Sequence, residues 1–115
     1  MSVKIGVSPI SWTNDDMPEL GGDTTVEHCL QEGKQAGFSG FELGGKWPRE
    51  KSILEPLFNK YEMEVVSSWF CGNLLVDSLE DEIKRITPHM QLLKDLGTEV
   101  IVYCEMDACV QSEIT

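Results

Sequence analysis

Short apolar runs and amphipathic segments alternate along the chain, and this alternation constrains the fold more than any other feature. Strand-like runs start near residues 3, 38, 64 and 99. Each of the first three is followed by a segment with apolar residues at helical spacing. Such an alternation predicts a parallel α/β sheet whose strands are joined by right-handed crossovers.

The expected elements can be given bounds from the apolar runs and the capping residues. The strands are expected at residues 3–8, 38–43, 64–70 and 99–104. The helices are expected at residues 24–37, 48–61 and 78–97. A capping box of Thr24 and Glu27 begins the first helix, and Gly37 ends it. Pro88 lies inside the third helix and should kink or restart it, because proline removes a helical hydrogen bond.

Four parallel strands in a single domain, residues 1–115, are compatible with two architectures. One is a small open doubly wound sheet, and the other is the first half of a (β/α)8 TIM barrel, which normally needs about 250 residues. In both, ligands bind beyond the carboxyl ends of the strands. The loops at that edge are therefore the functional candidates: residues 9–23, 44–47, 71–77 and 105–115.

Composition excludes some classes of partner. The net charge of −11, with no cluster of Lys and Arg, disfavours nucleic acid and an anionic membrane surface. No run reaches the roughly 18 apolar residues of a membrane helix, and the N-terminus lacks a basic segment followed by an apolar one. We therefore expect a cytoplasmic protein.

The cysteines and histidines do not predict a metal site. No C-x-x-C pair occurs among the four cysteines, so we expect reduced thiols rather than a structural zinc site at Cys29, Cys71, Cys104 and Cys109. His28 and His89 both fall on expected helices, and neither is assigned to a metal.

The loop after the first strand is crowded with polar side chains. Trp12, Asn14, Asp15, Asp16 and Glu19 fall within it, and they could bind sugar hydroxyls or a metal. Asp and Asn also cap backbone groups in turns, so a solvated loop is the competing interpretation. We favour a site role for Trp12 and Asn14 beside the strand end, although Trp12 could equally be a core side chain under the loop.

Further candidates lie at the ends of the other strands. Glu42 sits between apolar neighbours, where a carboxylate is costly unless paired, and Lys46 could be its partner. Such a pair would either line a polyol pocket or be a structural ion pair. Trp69 could form an aromatic wall for a sugar ring or pack in the core. Glu105 ends the fourth strand and suits a polar pocket. The chain has no G-x-G-x-x-G, Walker A or G-x-S-x-G motif, so nucleotide binding and a serine hydrolase are weakly supported.

Three stretches carry a resemblance to a known family: PISWTNDDMPELGG (residues 9–22), GFELGGKWPRE (residues 40–50) and SSWF at the end of the third strand. Together they resemble the N-terminal part of inosose dehydratases. The resemblance implies a xylose-isomerase-like TIM barrel that dehydrates 2-keto-myo-inositol (scyllo-inosose) to a trihydroxycyclohexane-dione in myo-inositol catabolism. It also implies a divalent ion, manganese or cobalt.

In that superfamily the metal ligands come from later strands, so the resemblance assigns no metal ligand to this chain. It implies a fragment of a longer enzyme, which we expect to be inactive alone. Glu42 and Lys46 are the catalytic candidates, and the substrate-binding candidates are Trp12, Asn14, Asp15, Trp69 and Glu105. The expected partner is a small cyclic polyol ketone, with no nucleic acid and no membrane. Exposed edges of the first and fourth strands could also lead to self-association.

Two other functions remain open at this point. One is a sugar isomerase or epimerase of the same superfamily, which would transfer a proton beside a carbonyl without losing water. The other is a non-catalytic α/β domain that binds a small ligand or a partner.

Overall fold

A parallel sheet of four strands forms the centre of the molecule, and the computed structural model describes residues 2–106. The strands are β1 (Gly6–Val7), β2 (Gly40–Leu43), β3 (Glu64–Gly72) and β4 (Ile101–Glu105). The helices are α1 (Val26–Gln35), α2 (Lys51–Lys60) and α3 (Leu79–Asp95), with a short 3-10 helix at Pro9–Ser11. Each long helix therefore connects two neighbouring strands.

The order of the strands in the sheet is β1-β2-β3-β4, the same as their order in the chain. A doubly wound sheet reverses this order at its centre, and no reversal occurs among the described strands. Right-handed crossovers that always step in one direction place all three helices on one face. The prediction of parallel βα repeats is confirmed, and the sheet has the arrangement of part of a (β/α)8 barrel.

The helix boundaries follow from capping residues that the sequence supplies. The Thr25 hydroxyl accepts a hydrogen bond from the His28 amide at 3.1 Å, so α1 begins one residue later than the expected box of Thr24 and Glu27. The Ser78 hydroxyl accepts from the Asp81 amide at 3.2 Å and begins α3. Such caps satisfy amide groups that have no partner within the helix.

The core lies between the helices and the first half of the sheet. Phe41 and Leu43 of β2 are fully buried, and so are Leu30 of α1 and Leu54 of α2. The Phe41 ring lies 5.3 Å from the Trp12 ring and 5.4 Å from the Trp47 ring, measured between centroids. Burial of these rings supplies much of the apolar stabilisation of this half.

The first strand differs from its prediction. Only Gly6 and Val7 pair with β2, whereas residues 3–8 were expected to form a buried strand. Val3 is 86% exposed and Ile5 is 59% exposed. The reason is position: β1 is an edge of the described sheet, so apolar side chains there have a neighbouring strand on one side only.

The third helix bears on the prediction made for Pro88, which was a kink or a restart at that residue. The helix is continuous from Leu79 to Asp95, so it does not restart at Pro88. Its apolar residues are unevenly buried: Leu93 is covered, but Leu79, Ile83 and Met90 are each more than half exposed. The side of α3 that faces away from α2 has no described element beside it.

Candidate functional site

A cleft of about 620 Å³ opens at the carboxyl ends of the strands, as the fold class predicts. The loops after β1 and β2 form one wall, and the end of β3 forms the other. A second, smaller cavity adjoins it and shares Thr13, Asn14, Asp15, Trp69 and Cys71. The two cavities form one continuous depression, which we call the rim cleft.

Asn14 shapes the loop after β1 from within. Its side-chain oxygen accepts hydrogen bonds from the amides of Asp16 and Met17, both at 2.9 Å. The backbone N–H of Asn14 donates to the Leu20 carbonyl, and this hydrogen bond closes the loop. Gly21 has a φ of +73°, and a Cβ at this position would overlap the carbonyl oxygen of Trp12. The loop is thus a defined structure, and Asn14 lines the cleft with its side-chain oxygen already engaged.

Two side chains tie this loop to the loop after β2. The Asp15 carboxylate accepts a hydrogen bond from the Gly45 amide at 2.9 Å. Lys46 reaches back across the cleft wall, where its ammonium donates to the carbonyls of Gly22 at 2.9 Å and Thr24 at 2.7 Å. These bonds to charged groups hold the wall of the cleft in one arrangement.

The expected ion pair of Glu42 and Lys46 is wrong. Glu42 and Lys46 are both described, and the structure pairs each with another group. The Ser67 hydroxyl of β3 donates to the Glu42 carboxylate at 3.0 Å, while Lys46 binds loop carbonyls. The physical reason is the Gly44–Gly45 turn, which carries Lys46 beyond the end of β2 and toward the preceding loop.

Glu42 and Trp69 are the two predicted site residues that line the cleft from the strands rather than from the loops. Glu42 lines the smaller cavity from β2, and Ser67 fixes one of its oxygens. Trp69 of β3 is 43% exposed and lines both cavities, so it offers an apolar surface to a ligand. A carboxylate beside an aromatic wall is an arrangement that can hold a polyol ring and exchange a proton with it.

Trp12 lies in the core rather than in the cleft. Its ring packs on Phe41, and its indole N–H donates to the Glu32 carboxylate of α1. These contacts favour the alternative in which Trp12 is a core side chain under the loop, which the sequence had left open.

Glu105 holds a loop at the second half of the sheet. One oxygen of its carboxylate accepts a hydrogen bond from the Leu74 amide at 2.7 Å. The other oxygen is buried and has no hydrogen-bond partner among the described residues. Glu105 does not line the rim cleft, and the residues beyond Met106, which complete the predicted loop at 105–115, lie outside the described residues.

Three cleft residues were missed at the sequence level. Arg49 lines the larger cavity and donates to the Gly44 carbonyl at 2.9 Å. Burial lowers the pKa of its guanidinium, and the negative charge of Asp15 opposes that shift. Thr13 is buried at the base of the loop, and Ser67 anchors Glu42. Ser67 had a signal, a polar residue inside an apolar strand, whereas Arg49 and Thr13 had none.

The described residues do not supply a metal centre. No group of three or more His, Cys, Asp or Glu side chains is placed to hold an ion within residues 2–106. Over the same residues, no helix is long and apolar enough to cross a membrane.

Fold and cleft together define a parallel α/β protein with a candidate ligand site, lined by both apolar and charged side chains, at the carboxyl ends of its strands. No protein-family model matches the chain. Curated relatives do: the chain is 49% identical over 105 residues to the rhizopine catabolism protein MocC of Rhizobium meliloti, and this match covers 91% of the chain. It is 42% identical to the inosose dehydratase of Mesomycoplasma hyopneumoniae strain 7448 over 97% of the chain. It is 40% identical to inosose dehydratase 2 of a Bacillus cereus strain over 96% of the chain.

The resemblance to inosose dehydratases is thereby confirmed: the chain is homologous to part of these proteins. It spans about a third of the length of the curated relatives that it matches, 32% of the first and 37% of the other two.

Proposed function

We propose that this chain is the N-terminal part of the barrel of an inosose dehydratase, with residues 1–115 as one structural unit of a longer enzyme. The whole enzyme would dehydrate 2-keto-myo-inositol to a trihydroxycyclohexane-dione. The observation that carries the proposal is the 40–42% identity to inosose dehydratases across 96–97% of the chain. The rim cleft adds support, because it combines a carboxylate from Glu42 with the aromatic ring of Trp69 and lies where barrel enzymes bind substrate.

The reaction removes a proton beside a ketone and then releases a hydroxyl group, with a proton, as water. A group that takes or gives a proton must lie within hydrogen-bond reach of the substrate. We assign this role to Glu42, because Ser67 fixes one carboxylate oxygen toward the cleft and the other can exchange the proton. Trp69 would cover one face of the ring.

Lys46 and Asp15 have a different role in this proposal. Their charged groups bind the backbone of the two loops, so they position the cleft wall rather than transfer protons. The predicted catalytic role of Lys46 and the predicted substrate contacts of Asn14, Asp15, Trp12 and Glu105 stay predictions. Arg49, close to Asp15, adds positive charge to the same wall.

A divalent ion, manganese or cobalt, remains part of the proposal for the whole enzyme. The described residues of this chain do not fit a metal site, so we place its ligands elsewhere in the longer protein and derive no step from it. We also propose a cytoplasmic location and a small cyclic polyol ketone as substrate. Self-association through the edges β1 and β4 is proposed only for the 115-residue chain by itself, because a complete barrel would pair both edges.

The test is an assay of scyllo-inosose with Mn²⁺, on the longer protein and on residues 1–115 alone, following the ultraviolet absorbance of the dione. We expect turnover by the longer protein and none by the 115-residue chain. Glu42→Gln should lower kcat by about 100-fold or more, the range of an acid–base group. Glu55→Gln, on the exposed side of α2, is the matched control and should leave kcat unchanged.

The outcomes separate the candidate functions. Epimerisation of ketoses without loss of water would replace the dehydratase with an isomerase, and binding without any turnover would leave a non-catalytic domain. Full activity of Glu42→Gln would remove the assignment of the proton-transfer group but keep the reaction.

A second candidate function comes from the match to the rhizopine catabolism protein MocC, at 49% identity. The chain would then belong to an enzyme of rhizopine catabolism. Parallel assays with a rhizopine and with scyllo-inosose decide between the two by the larger kcat/KM.

A further inference from the structure

Cys71 and Cys104 occupy matched positions on neighbouring parallel strands. Cys71 of β3 and Cys104 of β4 are register partners. Neighbouring strands lie about 4.8 Å apart, and side chains at matched positions project from the same face of the sheet. Two residues that are distant in sequence therefore carry their thiols side by side.

The residues next to the two cysteines show that register partners on β3 and β4 bring their side chains into contact. Phe70 and Tyr103 are also register partners, and their rings stack with centroids 6.0 Å apart. Because successive residues point to opposite faces, the cysteines lie on the other face, which is the face of the rim cleft. Cys71 is exposed and lines that cleft. Cys104 is half-buried and lies next to Cys71 through the register of the two strands.

We propose that Cys71, at the edge of the rim cleft, and its register partner Cys104 form a dithiol that hydroperoxides oxidise to a disulfide and that trivalent arsenicals bridge. Both thiols are free in the structure. The inference rests on the register of β3 and β4 and not on the proposed enzymatic activity.

The oxidation balances with a hydroperoxide as the oxidant. The exposed Cys71 thiolate attacks the peroxide; an S–O bond forms, the O–O bond breaks, and an alcohol (or water, from hydrogen peroxide) leaves. The Cys104 sulfur then attacks the Cys71 sulfur; an S–S bond forms, the S–O bond breaks, and water leaves. Two thiols lose two electrons and two protons in total, and the peroxide accepts them.

The geometry predicts a bond that forms and is readily reduced. A Cα separation near the strand spacing of about 4.8 Å lies within the range of disulfides, about 4.4–6.8 Å. Cβ atoms that project in parallel stay about as far apart, whereas a relaxed disulfide brings them to about 3.8 Å. The resulting strain makes the bond more easily reduced, which is the property of a reversible redox pair.

The test maps disulfides in the 115-residue chain after treatment with hydrogen peroxide. Cys104 and Cys109 fall in the same tryptic peptide, since no Lys or Arg follows Lys94. Cys109 lies outside the described residues, so the measurement uses a Cys109→Ser background. We expect a cross-linked pair of peptides that contain Cys71 and Cys104, reversed by dithiothreitol. It should form about tenfold faster, or more, in the folded chain than in the chain denatured by urea.

Phenylarsine oxide gives a second readout that does not involve oxidation. One arsenical should bind per chain and protect two thiols from alkylation. Cys71→Ser and Cys104→Ser should each abolish both the cross-link and this protection, whereas Cys29→Ser, on the buried face of α1, should change neither. Circular dichroism checks that each variant is folded.

Three results would overturn the inference. One is over-oxidation of Cys71 to a sulfinic acid with no cross-link in the folded chain. The second is a cross-link that forms no faster in the folded chain than in the denatured chain. The third is arsenical binding that survives Cys104→Ser.

Discussion

The two halves of the sheet use the same repeating unit but are stabilised in different ways. Around β1 and β2, buried side chains such as Phe41 fill the space under the helices, and Asp15 and Lys46 tie the two cleft loops together. Around β3 and β4, Ile83 and Val100 are more than half exposed. The contrast teaches that apolar spacing defines which face of an element can be buried, while its neighbours decide whether it is.

The loops of the second half are held by acidic side chains instead of a lysine. Glu82, only 3% exposed, accepts from the Asn73 amide at 3.0 Å and from Arg85 at 2.9 Å. Glu105 accepts from the Leu74 amide. Both carboxylates bind amides within the second half, whereas Asp15 and Lys46 span two loops. The second half therefore has well-fixed loops but an uncovered apolar side.

The largest expected effect separates the cores of the two halves. Phe41→Ala removes a fully buried ring that contacts Trp12 and Trp47, and it should lower the free energy of unfolding by about 3–5 kcal/mol. Ile83→Ala on the exposed side of α3 should change it by less than about 0.5 kcal/mol. Urea unfolding followed by circular dichroism measures both. Equal losses would show that the second half is covered in solution.

A smaller effect tests the bridge between the two cleft loops. Lys46→Met removes the donor to the carbonyls of Gly22 and Thr24 and should cost about 1.5 kcal/mol, the low end for charged hydrogen bonds because the side chain is exposed. Hydrogen exchange should accelerate in the loop after β1. The control is Lys60→Met, whose exposed ion pair with Glu27 at 3.9 Å should contribute less than about 0.5 kcal/mol. No difference between the two variants would mean that Lys46 does not stabilise the loop.

The helix caps should contribute about the same stability in the two halves. Thr25→Ala at α1 and Ser78→Ala at α3 each remove one acceptor for a helix amide and should each cost about 1 kcal/mol. Thermal unfolding of the two variants makes the comparison. A much larger loss for Thr25→Ala would mean that the halves differ in more than side-chain burial.

The smallest effect depends on pH. His89 of α3 packs on the Phe70 ring, and burial, followed by the positive charge of Arg49, lowers its pKa from 6.5. The unfolded chain then binds more protons than the folded chain, so this residue contributes stability above pH 6.5 that is lost as the pH falls toward the folded pKa. His89→Gln should flatten the stability profile as the pH falls below 6.5. An unchanged profile would contradict the shift.

Much of the fold was predictable because the signals are local. Apolar runs, the serine cap of α3 and Gly37 after α1 identify the elements, and their alternation gives the parallel sheet. The exposure of Val3 and Ile5 was not predictable, because it depends on which elements lie beside β1.

The location of the cleft was predictable, but the hydrogen-bond partners of its side chains were not. Glu42 and Trp69 do face the cleft, since the rule about carboxyl ends of strands applies to the fold class. The partner of Lys46 could not be found by spacing, because its acceptors are backbone carbonyls about two dozen residues earlier in the chain. Every residue has a backbone carbonyl, so the sequence does not indicate which carbonyls will accept a hydrogen bond from a side chain.

The tight approach of Gly21 to the Trp12 carbonyl limits how this protein can vary. Any side chain at position 21 meets both a positive φ and an occupied space, so neither repacking nor a change of size offers relief. Gly22 is also restricted, because a Cβ there would lie 2.9 Å from the Pro18 carbonyl oxygen, whereas the side chains of Leu20 and Asp23 are exposed. A mutational scan should therefore find Gly21 nearly invariant, Gly22 less so, and Leu20 and Asp23 tolerant, so the shape of the cleft wall would depend most on a residue that has no side chain.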